Sequence, residues 1–443
     1  MGLAEKSFSV FIRDIFLFFA NAIIGVILAR SLGPNFLGLW FTLNLVPSYA
    51  ELFGRVKIDI AAVFYLSKKK YTVRQVVPVI NTYALIFGGI IIALALFFKS
   101  GITAFLFKEY ADEMGLYYFL ILMQIPSLFI YMNYLYIHIY LEDKNVVNRM
   151  ALIRVLVPFI MIMLSFPFSG FKLNLYYVII SFSIGPLVSL IYGAYKLNIH
   201  SYITFKIDRV ISKDLFSYGI QVYFTGILNY FNIYSIQFLV LSFLTPVQLS
   251  FFTIAQQNSQ LMQKLSDAVS VFLFPHVSKT TDINDKIKTI FKVCRLLFLV
   301  LLPCYIVSIF LIKDLVTWVY GTKYLDVVTP ILIMLPAVVL VTSMSSISTF
   351  FQSCGNPQLV TLSFIPSLVL QIGLGIILIP KYGIIGAAIC FSCGAATAIL
   401  IQLFILYKKF KPVDYLRLFL ISKDDLAYLR KIILSIKNKN ASR

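Results

Sequence analysis

Apolar residues come in blocks of about twenty along this chain, with polar residues gathered between the blocks rather than alternating inside them. An α-helix needs about 20 mostly apolar residues to cross the hydrocarbon core of a bilayer. The blocks predict twelve such helices, over 8–30, 37–63, 76–98, 115–140, 149–167, 174–196, 215–242, 250–274, 290–312, 327–351, 359–379 and 383–407. Only 197–214 and the stretch after Lys408 leave room for much chain outside the membrane. The first break, residues 29–40, reads ARSLGPNFLGLW: Gly33 and Pro34 end one helix and an apolar run resumes at once.

The same break recurs about 210 positions later as FLTPVQLS, residues 243–250. A shift of about 211 residues also pairs FYLSKKK (64–70) with FPHVSKT (274–280) and YLEDKN (140–145) with FQSCGN (351–356). It further pairs FPFSGFKLNLYYVI (166–179) with LIPKYGIIGAAICF (378–391). Six helices followed by six with the same breaks form two parallel repeats, a plan that places a cavity between two lobes and lets one rock against the other. The expected fold is all-α and polytopic. It has an N-terminal six-helix lobe over 1–197, a cytoplasmic connection over 198–214, a C-terminal six-helix lobe over 215–408 and a cytoplasmic amphipathic tail over 409–443.

Composition agrees. Of 443 residues 60% are hydrophobic and 13% charged, against about 25% charged in a soluble domain, and the mean hydropathy is +0.89. The first thirty residues contain Glu5 and Asp14 and no A-x-A cleavage pattern, so they read as a retained span. Cys390 and Cys393 form a C-x-x-C, but no second pair or nearby histidine completes a metal site; on an apolar helix they read as packing residues. No cofactor motif appears.

Basic residues cluster in alternate connections, such as Lys68-Lys69-Lys70-Arg74 and Lys279 to Arg295, and in the tail. Cytoplasmic loops carry the Lys and Arg excess, so both termini are expected in the cytoplasm. The net charge of +19 then reflects topology and attraction to anionic lipid rather than a nucleic-acid footprint.

Several stretches together carry a family resemblance. ARSLGPNFLG closes the first span, YLSKKK follows the second and LFPHVSK the eighth; WVYGTKYLDVVTPILIMLPAVVL, FQSCGNPQ and LIPKYGIIGAAIC come later. The chain resembles, over essentially its whole length, the Wzx-type flippases of O-antigen and capsule repeat units, in the multidrug/oligosaccharidyl-lipid/polysaccharide exporter superfamily. It departs from them in the second copy of the corner, where Thr245 and Ser250 stand in place of glycines. The resemblance implies twelve spans in two lobes, as in multidrug exporters of the same superfamily, and a place in the bacterial cytoplasmic membrane. It also implies a substrate of undecaprenyl-diphosphate-linked oligosaccharide, moved to the outer leaflet among membrane lipids. Other polysaccharide-assembly proteins are further expected partners.

Charges inside spans cost about 2.5–3.5 kcal/mol each and usually face a cavity or a partner. The first span carries Arg13, Asp14 and Asn21; the second carries Glu51, Arg55 and Asp59 at successive i, i+4 steps, a continuous polar stripe. Gln221, Thr225, Asn229 and Asn232 line one face of the seventh span, and Gln256, Gln260, Lys264 and Asp267 one face of the eighth. On the flippase reading Arg13, Arg55 and Lys264 meet the diphosphate, because cations match its oxygens. Asn21, Asn229, Asn232, Gln256 and Gln260 then hydrogen-bond sugars, with Tyr223 and Tyr230 for stacking. Asp14, Asp59 and Asp267 are the candidates for ion coupling. The competing reading makes the stripe an internal ion-pair chain that neutralises itself.

A drug or cation exporter of the same superfamily is the nearest alternative, although the embedded charges are balanced rather than acidic. A membrane-embedded polymerase or glycosyltransferase is another. The outer loops are too short to hold the acids and bases such an enzyme needs, so no enzymatic activity is expected.

Overall fold

The fold is taken from a computed structural model. It describes residues 3–169, 173–197, 207–264, 282–356 and 358–410, with 266, 269, 270, 273, 277 and 280 between. The described residues are helical almost throughout. Helices α1 (Leu3–Gly54), α2 (Ile58–Ser67), α3 (Val73–Phe97), α4 (Lys99–Phe107) and α5 (Gly115–Met123) are followed by α6 (Ile125–Tyr140), α7 (Lys144–Ser169), α8 (Leu175–Lys196) and α9 (Arg209–Phe243). The rest are α10 (Pro246–Gln260), α11 (Ile283–Val319), α12 (Val328–Ser353) and α13 (Gln358–Lys409).

Nine helical stretches among the described residues are long and apolar enough to cross a membrane. Two of the helices are long enough for two crossings. At about 1.5 Å per residue, the 52 residues of α1 and of α13 would each extend far beyond a hydrocarbon core of about 30 Å. Each is interrupted by a glycine with positive φ, Gly33 (φ 72°) and Gly383 (φ 59°), a conformation other residues rarely adopt. Around Gly383 the chain folds back so tightly that a Cβ on Gly386 would lie 2.2 Å from the carbonyl oxygen of Leu378. The corner read in LGPNFLG is therefore a true helix break. Of the expected eighth span, 250–274, continuous helix is described only as far as Gln260, and the tail lies outside the described residues from 411 on.

The second span departs from expectation. The helix predicted over 37–63 ends at Gly54 and restarts at Ile58, with Val56 (φ 46°) and Lys57 (φ 52°) both left-handed. The polar stripe is thus not one continuous helical face. The break is held from two sides: Arg55 forks between carboxylates above and below it, and α9 passes so close that a Cβ on Gly219 would meet the carbonyl oxygen of Val56 at 2.6 Å.

The chain divides into two compact units, residues 1–251 with 319–324, and 252–318 with 325–443. In the first, α7 packs along α8, α3 and α8 pack on α6, and α2 packs on α9. Its core includes Ile58, Leu66, Val76, Ile80, Tyr131, Ile137 and Met150. In the second, α12 packs along α13, and Phe291, Cys294, Met344, Phe350 and Phe351 form a core. Cys390 is buried and both cysteines of the C-x-x-C are free thiols. On α11 many large apolar side chains point outward, with Phe310 75% and Trp318 76% exposed. Water penalises such a surface, whereas lipid tails do not.

Candidate functional site: a polar cavity in the first unit

Inside the first unit lies a cavity of about 450 Å³. The part of α1 that follows its Gly33 corner supplies Trp40, Asn44, Ser48 and Glu51, the part before it supplies Asn21, and Gln124 closes one side. Tyr131 on α6, Arg154 on α7 and Phe182 on α8 complete the wall, with the Trp40 and Phe182 rings 4.8 Å apart.

The amides are oriented by their own helices. Asn21 donates through Nδ2 to the Leu17 carbonyl at 2.8 Å, and Asn44 donates in the same way to the Trp40 carbonyl at 2.8 Å. Each amide spends a donor on the backbone and keeps its Oδ1 as an acceptor. Ser48 donates to the Asn44 carbonyl at 2.8 Å.

Glu51 stands at the edge of the cavity and leads into a buried charge cluster. Arg55 donates through Nη1 to Glu51 Oε1 at 2.9 Å and through Nη2 to Asp59 Oδ2. Arg55 is 5% exposed and Asp59 1%. Two carboxylates share one guanidinium, so the cluster carries one net negative charge when all three are ionised. Asp59 Oδ1 is buried without a hydrogen-bond partner among the described residues.

Arg154 has a different environment. Its guanidinium carbon lies 5.2 Å from the centre of the Tyr131 ring, a cation–π contact. No hydrogen bond or ion pair joins it among the described residues. This embedded cation was absent from the sequence-derived set, although its signal is present as a single arginine in the apolar run ALIRVLVPFIMIML, 151–164.

The predicted site residues separate between the two units. In the first, Arg13 donates to Asn148 Oδ1 at 2.9 Å, tying α1 to α7. Asn21 lines the cavity, Arg55 and Asp59 pair, and Asn232 is half-buried on α9. Tyr230 packs among Tyr49 and Tyr234, with ring centres 5.6 and 4.4 Å away. The side chains of Asp14 and Asn229 lie outside the described set. In the second unit Gln256 is buried, Gln260 half-buried and Lys264 exposed just past a turn at Leu261–Met262, while Asp267 lies outside the described residues.

The two ends of the first unit carry ties that the sequence did not disclose. Beyond α2, Lys70 and Tyr71 both donate to Asp214 Oδ2 on α9, and the Phe64 and Tyr218 rings stack at 4.0 Å. Lys70 and Tyr71 hold the Asp214 carboxyl below the usual carboxylate range, and Asp214 raises the Lys70 ammonium. At the end bearing the Gly33 corner, Lys108 donates to the Leu244 carbonyl just past the end of α9, and Arg30 to the Val319 carbonyl at 2.7 Å. Cations there neutralise the negative end of a helix. Between these contacts, a Cβ on Gly38 would meet the Pro246 carbonyl oxygen at 2.0 Å. The two copies of the repeated corner therefore touch.

Comparison with known proteins bears on the family and the fold. A family model described as polysaccharide biosynthesis protein matches residues 27–329. A comparison with curated protein sequences found no match. Among solved structures, the chain is similar to the lipid II flippase MurJ in an inward closed conformation, at 17% identity and TM-score 0.73, covering 96% of this chain and 92% of that one. It is also similar to a multidrug resistance MATE family transporter of the MOP superfamily, inward-facing, at 16% identity and TM-score 0.68, covering 89% and 96%. An outward-facing MATE transporter gives 13% identity and TM-score 0.58, covering 89% and 93%. At such identities the likeness is one of fold.

Proposed function

Because this chain belongs to the polysaccharide biosynthesis protein family, we propose that it moves undecaprenyl-diphosphate-linked oligosaccharide repeat units across the bacterial cytoplasmic membrane. The observation that carries this reading is the coincidence of that family with a flippase fold along 96% of the chain. The transport works by alternating access between two six-helix lobes, with both termini in the cytoplasm, and draws on an ion gradient. The membrane-embedded groups take parts in it. Arg13 and Lys264 meet the diphosphate, and Asn21, Asn229, Asn232, Gln256 and Gln260 hydrogen-bond sugars. Asp14, Asp59 and Asp267 are the carboxylates for ion coupling. Arg55 reaches a phosphate only by giving up Glu51 or Asp59, so in the state described here it anchors the cluster.

The shared fold with multidrug transporters supports export of an organic cation as the second reading. Deleting the gene and analysing membrane lipids separates the two. Accumulation of a lipid-linked repeat unit in the inner leaflet is the expected outcome. Unchanged lipids together with new sensitivity to cationic drugs would overturn the flippase reading in favour of the exporter.

A further inference from the structure

Arg154 lines the cavity with a ring face beneath it and neither a hydrogen bond nor an ion pair among the described residues. A cation embedded in a membrane chain is costly and by default marks a ligand or a pathway. The rest of the wall narrows the ligand. Trp40, Tyr131 and Phe182 offer apolar ring faces, while Asn21 and Asn44 offer amide oxygens that their own helices leave open. Such acceptors suit hydroxyl donors. Glu51, already bonded to Arg55, adds another acceptor and a negative charge. That charge disfavours a dianion beside it but leaves room for one negative group on the guanidinium, whose planar fork matches a carboxylate in two parallel hydrogen bonds. A cavity of about 450 Å³ lies in the range of small-molecule sites.

We propose that this cavity is a subsite for a carboxylate-bearing sugar, with Arg154 holding the carboxylate, the amides and Glu51 taking ring hydroxyls, and the aromatic walls covering the apolar faces of the ring. The proposal rests on the polysaccharide flippase reading and names an acidic sugar within that substrate.

The chain has two tryptophans: Trp40 lines the cavity and Trp318 is 76% exposed. Trp318→Phe therefore leaves Trp40 as a reporter inside the site. The full chain carrying that substitution, in detergent micelles, is titrated with glucuronate, glucose and inorganic phosphate while Trp40 emission is followed. The expected result is a saturable change with glucuronate, at least about tenfold weaker with glucose and absent with phosphate. Adding Arg154→Gln abolishes the glucuronate response, and Arg154→Lys, which keeps the charge without the fork, retains part of it. Matching thermal unfolding of the variants shows that the loss is local. An equal response to glucose, a response that survives Arg154→Gln, a response to phosphate alone, or none with glucuronate up to about 100 mM would overturn the assignment. Lipid accumulation on gene deletion does not depend on Arg154, so a failure here leaves the flippase reading standing and a failure there does not mimic this one.

Discussion

Arg55 and Arg154 are two guanidiniums of the same unit, one in the break between α1 and α2 and the other within apolar α7, and they have opposite surroundings. Arg55 is flanked four residues away on each side by a carboxylate of its own stretch, bonds both, and is sealed from solvent. Arg154 has Met150, Ala151, Val157 and Pro158 at the helical offsets of three and four, so no neighbour on its own helix can neutralise it. It rests on a ring and faces a cavity instead. The difference separates a charge that holds structure from one available to a ligand. Cations of the first kind stabilise a broken helix; those of the second kind are costly until something binds.

The largest expected effect comes from Arg55→Leu. It leaves Asp59 buried without its cation, which costs about 3–5 kcal/mol, read as loss of folded protein or a large fall in melting temperature. Replacing Asp59 by Leu in the same chain recovers much of that loss, because the uncompensated charge is gone. A packing lesion calibrates the scale: Gly38→Ala presses a Cβ on the Pro246 carbonyl oxygen, which is backbone and yields poorly, for about 1–3 kcal/mol.

The Lys70–Asp214 pair is a third case, because it is paired but exposed. Asp214 titrates below its ordinary value, so its contribution is complete above about pH 4 and is lost as pH falls through the lowered folded value. Lys70 titrates above its ordinary value, so its contribution is complete below about pH 10 and is lost as pH rises through the raised one. Hydrogen-exchange protection in the first turns of α9, taken relative to the intrinsic rate at each pH, should therefore be greatest near neutral pH and fall at both extremes, and Asp214→Asn should remove that dependence. The smallest change in stability is expected for Arg154→Gln, within about 0.5 kcal/mol of the parent, together with loss of transport of an acidic repeat unit. If Arg154→Gln destabilised the chain as much as Arg55→Leu, the contrast between the two arginines would be lost.

Much of the fold was legible because lipid imposes a coarse rule, and blocks of about twenty apolar residues answer to it without help from tertiary detail. The corner at Gly33 was legible because a positive φ favours glycine, and Gly383 follows the same logic. The break in the second span was not. Val56 and Lys57 occupy left-handed conformations that neither residue type favours, and Gly54 just before them is the one local signal; they are held there by the Arg55 fork and by α9, which are tertiary facts. The pairing of Glu51, Arg55 and Asp59 could be read from their spacing, but which reading of the stripe applied depended on burial. Arg154 was visible as a lone charge in an apolar run. Its partner ring, Tyr131, lies on another helix, and only the folded chain brings the two together. The matches at an offset of about 211 residues pointed to repeated corners, and in the structure Gly38 of the first corner lies against Pro246 of the second.

The central claim is that this chain carries a lipid-linked oligosaccharide between leaflets. The most direct measurement reconstitutes it in liposomes with a polyprenyl-diphosphate-linked sugar in one leaflet and follows appearance of that sugar in the other. The account predicts leaflet exchange far faster than in empty liposomes. It would be contradicted if the sugar stayed in its leaflet while the same liposomes moved an organic cation.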